Sequence, residues 1–394
     1  MRYCKHTQWL GLAIKDGAVH LQSTDRVRTL LDDLPDPDAQ TPSLLVFIGN
    51  KAKSTAIREL VKTFSPPPRY GCETQQDEES NFKGHAKLNG RRGHGEIHLH
   101  IHSSSIFSSR PVLLAEGDLP MSDRQRGTLS PAGCHELTSR ELPIRNLTST
   151  TLSDAADKIY FRLLSPFADV FCFFAADVGG FRPIVHRLAL WLDLGIPSTL
   201  PKVTHPRILI VVESSQNEDG SALRAFTQML RDETTRDISN QFSGISLIQI
   251  LPRKDVSDRA RHRKLKEELL NSSDQVREAR KDTKTLFSAC HFAAFFRHAY
   301  NHLITSSVAP FNFIIASRIG NPVAQDLEKH FSNFLSKIKT TERVINFAIP
   351  VIASSLLLDS YPPDMHREQT RDFGNNQTNS CIRLQPCRCF PDAL

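Results

Sequence analysis

The residues whose types and spacing suggest chemistry lie together at Gly49-Asn50-Lys51-Ala52-Lys53-Ser54-Thr55. A glycine followed by Lys-Ser-Thr is the composition of a loop that wraps phosphate. Backbone N–H groups donate to the oxygens, the lysine neutralises charge, and the hydroxyl holds magnesium. On this pattern Gly49, Asn50, Lys51, Lys53, Ser54 and Thr55 are the candidate nucleotide-binding residues. Ser54 is also a candidate magnesium ligand. The spacing departs from the usual P-loop. Two residues separate Gly49 from Ala52 where four are expected, and Ala52 replaces the second glycine. A ring shortened in this way cannot encircle a β-phosphate as usual, and alanine resists the backbone angles that glycine allows. A helix N-terminus at this point still attracts an anion. The alternative is an ordinary strand-to-helix turn.

An acidic residue after the third strand of such a domain usually holds magnesium through water. Val112 to Asp118 supplies Glu116 and Asp118. Glu116 is the second candidate metal residue, although Leu119 stands where an Asp-x-x-Gly motif would have glycine. Solvated residues at a strand end are the competing reading. The guanine-reading Asn-Lys-x-Asp motif is absent after the fifth strand, where the chain reads Glu213-Ser214-Ser215-Gln216. No catalytic arginine or glutamine is evident, so residual NTPase activity is the most this domain predicts. His94, His98, His100 and His102 alternate, and His-x-His pairs can bind zinc or copper. A polar strand face is the preferred reading of them. The cluster Arg259-Ala260-Arg261-His262-Arg263-Lys264 reads as a solvated helix face.

Six strands position these residues. Ser43 to Ile48 is a continuous apolar run, as a strand covered on both faces requires. Ser54 to Phe64 follows with helical spacing and stops at Ser65-Pro66-Pro67-Pro68. Glu96 to His102 alternates as a half-buried strand. Pro111 to Ala115, Ala168 to Ala175, Ile208 to Val212 and Ile245 to Leu251 are further apolar strands. Helices are expected at Asp154 to Leu164, Phe181 to Leu194, Ser221 to Arg231 and Asp255 to Leu270. The second strand precedes the third with no helix between them, where a GTPase-type domain has its antiparallel edge strand. The predicted fold is α/β: a three-layer, P-loop NTPase-like sheet of GTPase type, followed by a helical segment. An N-terminal extension covers 1–41 and the P-loop-like domain 42–275, with polar inserts near 65–94 and 118–150. Helices fill 285–366, with Val344 to Leu358 read as a core helix. The tail 367–394 lacks periodicity.

Among 394 residues, 39% are apolar and 23% charged, and the formal net charge is +6. That excess is small and not interleaved with aromatics, so nucleic acid is not an expected partner. The eight cysteines lie far apart, which suits a reducing compartment. No stretch is long and apolar enough to span a bilayer. A cytoplasmic protein without a transmembrane segment is expected.

Leu45 to Asn50 with Lys53-Ser54-Thr55 resembles the P-loop of large fungal proteins that join a GTPase-like domain to a patatin-like phospholipase domain. Ser105 to Leu113 and Phe167 to Phe173 are similar to their following strands. Pro310 to Ile314, Ala316 to Ile319, Asn321 to Ala324, Asn346 to Pro350 and Leu358 to His366 are similar to later segments. The resemblance covers roughly residues 43–366. It implies a serine hydrolase elsewhere in the family, with a Gly-x-Ser-x-Gly nucleophile and a partner Asp. Neither Gly244-Ile245-Ser246 nor Asp177-Val178-Gly179-Gly180 supplies that site. The chain therefore looks like a truncated relative lacking the lipase domain, with a tail that a shifted reading frame would explain. The expected function is a degenerate P-loop regulatory module with weak or no hydrolysis. Its cofactor would be GTP or ATP with Mg2+, and its partner an unidentified protein. Two alternatives stand beside it: a non-binding interaction scaffold, and a product of a phospholipase gene that hydrolyses lipid only at full length.

Overall fold

The computed structural model describes residues 7–16, 18–63, 95–119, 137–142, 151–214, 220–252, 255–306, 308–319 and 326–360. It is an α/β structure built on one mixed sheet of nine strands. The chain opens with β1 (Gln8–Lys15), β2 (Ala18–Thr24) and α1 (Arg26–Asp32), then enters β3 (Ser43–Ile48) and α2 (Lys51–Thr63). Next come β4 (Ile97–Ile101), β5 (Val112–Gly117) and β6 (Leu137–Glu141). A helix follows that is α-helical over α3 (Leu152–Lys158) and π-helical over Ile159–Leu164. β7 (Val170–Phe174) leads into the single turn α4 (Ala175–Val178) and α5 (Phe181–Asp193). β8 (Arg207–Glu213), α6 (Ser221–Glu233), β9 (Gly244–Ile250), α7 (Asp258–Asp282), α8 (Ala289–Thr305) and α9 (Phe313–Ser317) complete this part.

The strand order is β6-β2-β1-β4-β5-β3-β7-β8-β9. β3 is central and pairs in parallel with β5 on one side and β7 on the other. β8 and β9 continue the parallel run, whereas β4 lies antiparallel to β5. All six residues of β3 are buried, as its unbroken apolar run requires. Its side chains alternate between two cores. Leu44, Val46 and Ile48 join Phe171, Phe173 and Trp191 under α3, α5, α6 and α8. Leu45 and Phe47 join Cys172, Leu209, Val211 and Ile248 under α2 and α7. The result is three layers, helix–sheet–helix.

Three strands were not expected from the sequence. Residues 1–41 are not a detached extension, because β1 and β2 form a hairpin that pairs with β4 and widens the sheet. β6 lies inside the polar segment 118–150 and forms the outer edge on β2. The helix expected after residue 285 is present as α8. It packs Phe292, Phe296 and Leu303 into the first core. Contacts divide the chain into units 1–316 and 317–394, so the expected break near 275–285 falls inside the first.

The second unit contains α10 (Leu327–Ser336), α11 (Thr341–Arg343), a π-helix (Val344–Ala348) and α12 (Ile349–Ser360). The segment read as a core helix leaves Ile345, Phe347, Ile349 and Val351 exposed, and only Ala348 among its described side chains is buried. Expectations for 65–94, most of 118–150 and 367–394 lie outside the described residues.

Candidate functional site

The candidate loop sits where β3 gives way to α2, at the C-terminal edge of the central strand. Gly49 takes a φ of +154°. A Cβ there would lie 2.7 Å from Asp177 Oδ2, so only glycine allows the approach that follows. Asp177 belongs to α4, directly after the neighbouring strand β7, in a turn closed by Gly179 in the left-handed region. Its carboxylate covers the start of α2. Oδ2 accepts the N–H groups of Asn50 at 2.6 Å and Lys53 at 2.9 Å, and Oδ1 accepts that of Ala52 at 2.9 Å. The first N–H groups of a helix have no partner within the helix, and its dipole favours negative charge there. A side chain from another element supplies that charge here.

Lys53 turns away from the loop. Its ammonium donates to the Gly117 carbonyl at 3.0 Å and lies 3.7 Å from Glu116 Oε2. Both side chains are almost wholly buried. His100 Nε2 approaches the other oxygen, Glu116 Oε1, at 2.8 Å. Lys53, Glu116 and His100 thus form a buried polar chain linking α2, β5 and β4. Such a set is tolerated in an apolar interior because each charge has a partner. Ser54 Oγ donates to the Asn50 carbonyl at 2.7 Å, and Thr55 Oγ1 to the Lys51 carbonyl at 3.1 Å. Both hydroxyls are engaged by their own helix.

Next to this chain, Gly117 is fixed as glycine by its neighbours. A Cβ would come within 2.2 Å of the Tyr160 hydroxyl, which donates to the Asp118 carbonyl. Burial holds the Tyr160 phenol well above its usual range, with the nearby carboxylates of Asp118, Asp157 and Glu116 adding to the effect. It remains a donor. Asp118 Oδ1 in turn accepts the Gly95 N–H at 3.0 Å.

The structure therefore gathers most of the expected residues at one place but gives them other partners. Asn50 and Lys53, with Ala52, meet Asp177 through their backbone N–H groups, the Gly49 N–H donates to the Gly117 carbonyl, and Glu116 meets Lys53 instead of lying at an open strand end. Asp177 was missed. Its signal was an acidic residue in a glycine-rich turn after the strand beside β3.

The other histidines of this stretch are held separately from that chain. His98 meets Thr7 Oγ1 at 3.0 Å and Glu96 at 3.1 Å, and His102 meets Ser104 at 3.0 Å. His94 lies outside the described residues. No group of three His, Cys, Asp or Glu side chains among the described residues could hold a metal. In the Arg259–Lys264 cluster, Arg261 and His262 are buried rather than solvated. Arg261 bonds the Leu251 carbonyl and pairs with Glu213 and Asp258. No helix among the described residues is long and apolar enough to cross a membrane. Compared with protein-family models and with curated proteins, the chain matches none.

Proposed function

We propose that this chain is a degenerate P-loop, GTPase-like regulatory module that neither needs nor hydrolyses nucleotide. Its phosphate position is filled by its own Asp177. The observation that carries the reading is the set of three backbone N–H groups, at Asn50, Ala52 and Lys53, converging on one carboxylate. Those groups are of the kind a P-loop offers to phosphate. The topology supports it as well. From β4 onward the order β4-β5-β3-β7-β8-β9, with β4 alone antiparallel, is what a GTPase-type domain would show.

The residues do not fit GTP or ATP with Mg2+ in this arrangement. The loop is short, its donors are engaged, the Lys53 ammonium lies on Gly117 and Glu116, and the Ser54 hydroxyl lies on Asn50. We therefore favour the interaction-scaffold form of the reading over a nucleotide switch, with a protein as partner. Titration of the wild-type chain with fluorescent GTP and ATP analogues in magnesium tests it. No saturation is expected up to about 1 mM, the weak limit of specific binding. Saturable, magnesium-dependent binding that unlabelled nucleotide displaces would falsify the proposal.

A further inference from the structure

At the opposite end of the sheet, where β8 and β9 begin, lies a cavity of about 320 Å³. Its rim carries Lys202, Arg207, Ser243 and Gln275, and its apolar wall Phe242 and Val276. No acidic residue lines it. Arg207 is half-buried and pairs in register with Gly244. A Cβ on Gly244 would lie 3.0 Å from one guanidinium nitrogen and 3.1 Å from its carbon, so the glycine makes room for the side chain.

Among the described residues, Arg207 makes no side-chain hydrogen bond or ion pair, and its Nε is buried without an acceptor. The Ser243 hydroxyl is buried in the same condition. A guanidinium partly withdrawn from water without an acceptor is costly, and so is an unpaired hydroxyl. The terminal nitrogens of Arg207 carry no acceptor of their own among the described residues, and an oxyanion in the cavity supplies one, because arginine binds phosphate through two parallel N–H donors. Lys202, which also donates to Asn240 at 2.7 Å, adds a second positive charge. Phe242 and Val276 offer apolar surface beside the charged end. The volume suits a small molecule.

We propose that this cavity binds a small phosphate monoester bearing an apolar group. The site is separate from the Asp177 loop and does not depend on the reading given to it. Phenyl phosphate is the probe, followed by calorimetry. Saturable binding in the sub-millimolar range is expected, with inorganic phosphate and phenol each at least about tenfold weaker. Arg207→Gln should weaken phenyl phosphate by about tenfold or more, as one charge-assisted pair implies. Gly244→Ala should do the same without changing charge, by displacing the guanidinium. In the wild-type chain phenyl phosphate should leave the backbone signals of Asn50, Ala52 and Lys53 unmoved, which separates this site from the α2 N-terminus. The proposal is overturned by failure to saturate, by equal affinity for inorganic phosphate, or by folded Arg207→Gln protein that binds as tightly as wild type.

Discussion

A carboxylate differs from a phosphate in carrying fewer oxygens and less charge, yet Asp177 satisfies three donors with two oxygens. It acts as a helix cap supplied from another element. Asp177→Ala is expected to cost about 1–2 kcal/mol, the upper range for losing a cap. Chemical denaturation would register it as a lower midpoint with an unchanged slope. Lys53 makes the sharper contrast. In a working P-loop its removal weakens nucleotide binding. Here Lys53→Ala leaves Glu116 buried beside His100 without its cation, and a loss of about 3–5 kcal/mol is expected. A midpoint unchanged from wild type would show that Lys53 is not part of the interior. The lysine was legible in the sequence because strand, glycine and Lys-Ser-Thr stood in order. Its direction was not, since that depends on Glu116 and Gly117 reaching the same place from a strand far along the chain.

At the scale of elements, the buried parallel strands were legible because their apolar runs are unbroken. The β1–β2 hairpin was not, although Asp16-Gly17 between two apolar runs is a strong hairpin signal. Lys15 pairs with Ala18 across it, and Asp16 takes a φ of +52°. Gly11 and the polar ends of both strands masked the pattern. β6 was hidden for another reason: an edge strand of mostly polar residues has no apolar period to read. The hairpin is integral. Trp9 is fully buried, its ring lies tilted against that of Phe296 of α8 at 4.6 Å between centroids, and Tyr300 of the same helix donates to the Leu21 carbonyl. Burial pushes the Tyr300 phenol up to about 12, so it stays a donor at neutral pH. Trp9→Ala should cost about 3–5 kcal/mol. Deleting residues 1–25 should yield aggregated protein by light scattering, because it bares β4 as an edge. A monomeric, cooperatively folding deletion product would show that the sheet core stands without the hairpin.

For the whole molecule, pH provides a separate handle. His205 and His262 are buried, and burial lowers the pKa of each below the ordinary histidine value, with Arg280 and Lys202 adding to it at His205 and Arg261 at His262. The unfolded chain then binds protons that the folded chain does not. Stability from these groups is complete above about pH 6.5, the unfolded histidine value, and is lost as pH falls below it. The melting temperature should drop as pH falls below about 6.5. Replacing both histidines with glutamine should flatten that slope, and a slope that survives the replacement would assign the effect to other groups.

Pyrophosphate titration followed by the backbone ¹⁵N–¹H shifts of Asn50, Ala52 and Lys53 tests the central claim most directly. With Asp177 seated on these groups, the wild-type signals should stay fixed, and in Asp177→Ala they should move together and saturate. Wild-type signals that move and saturate, or Asp177→Ala signals that do not respond, would contradict the assignment of Asp177 as the resident anion.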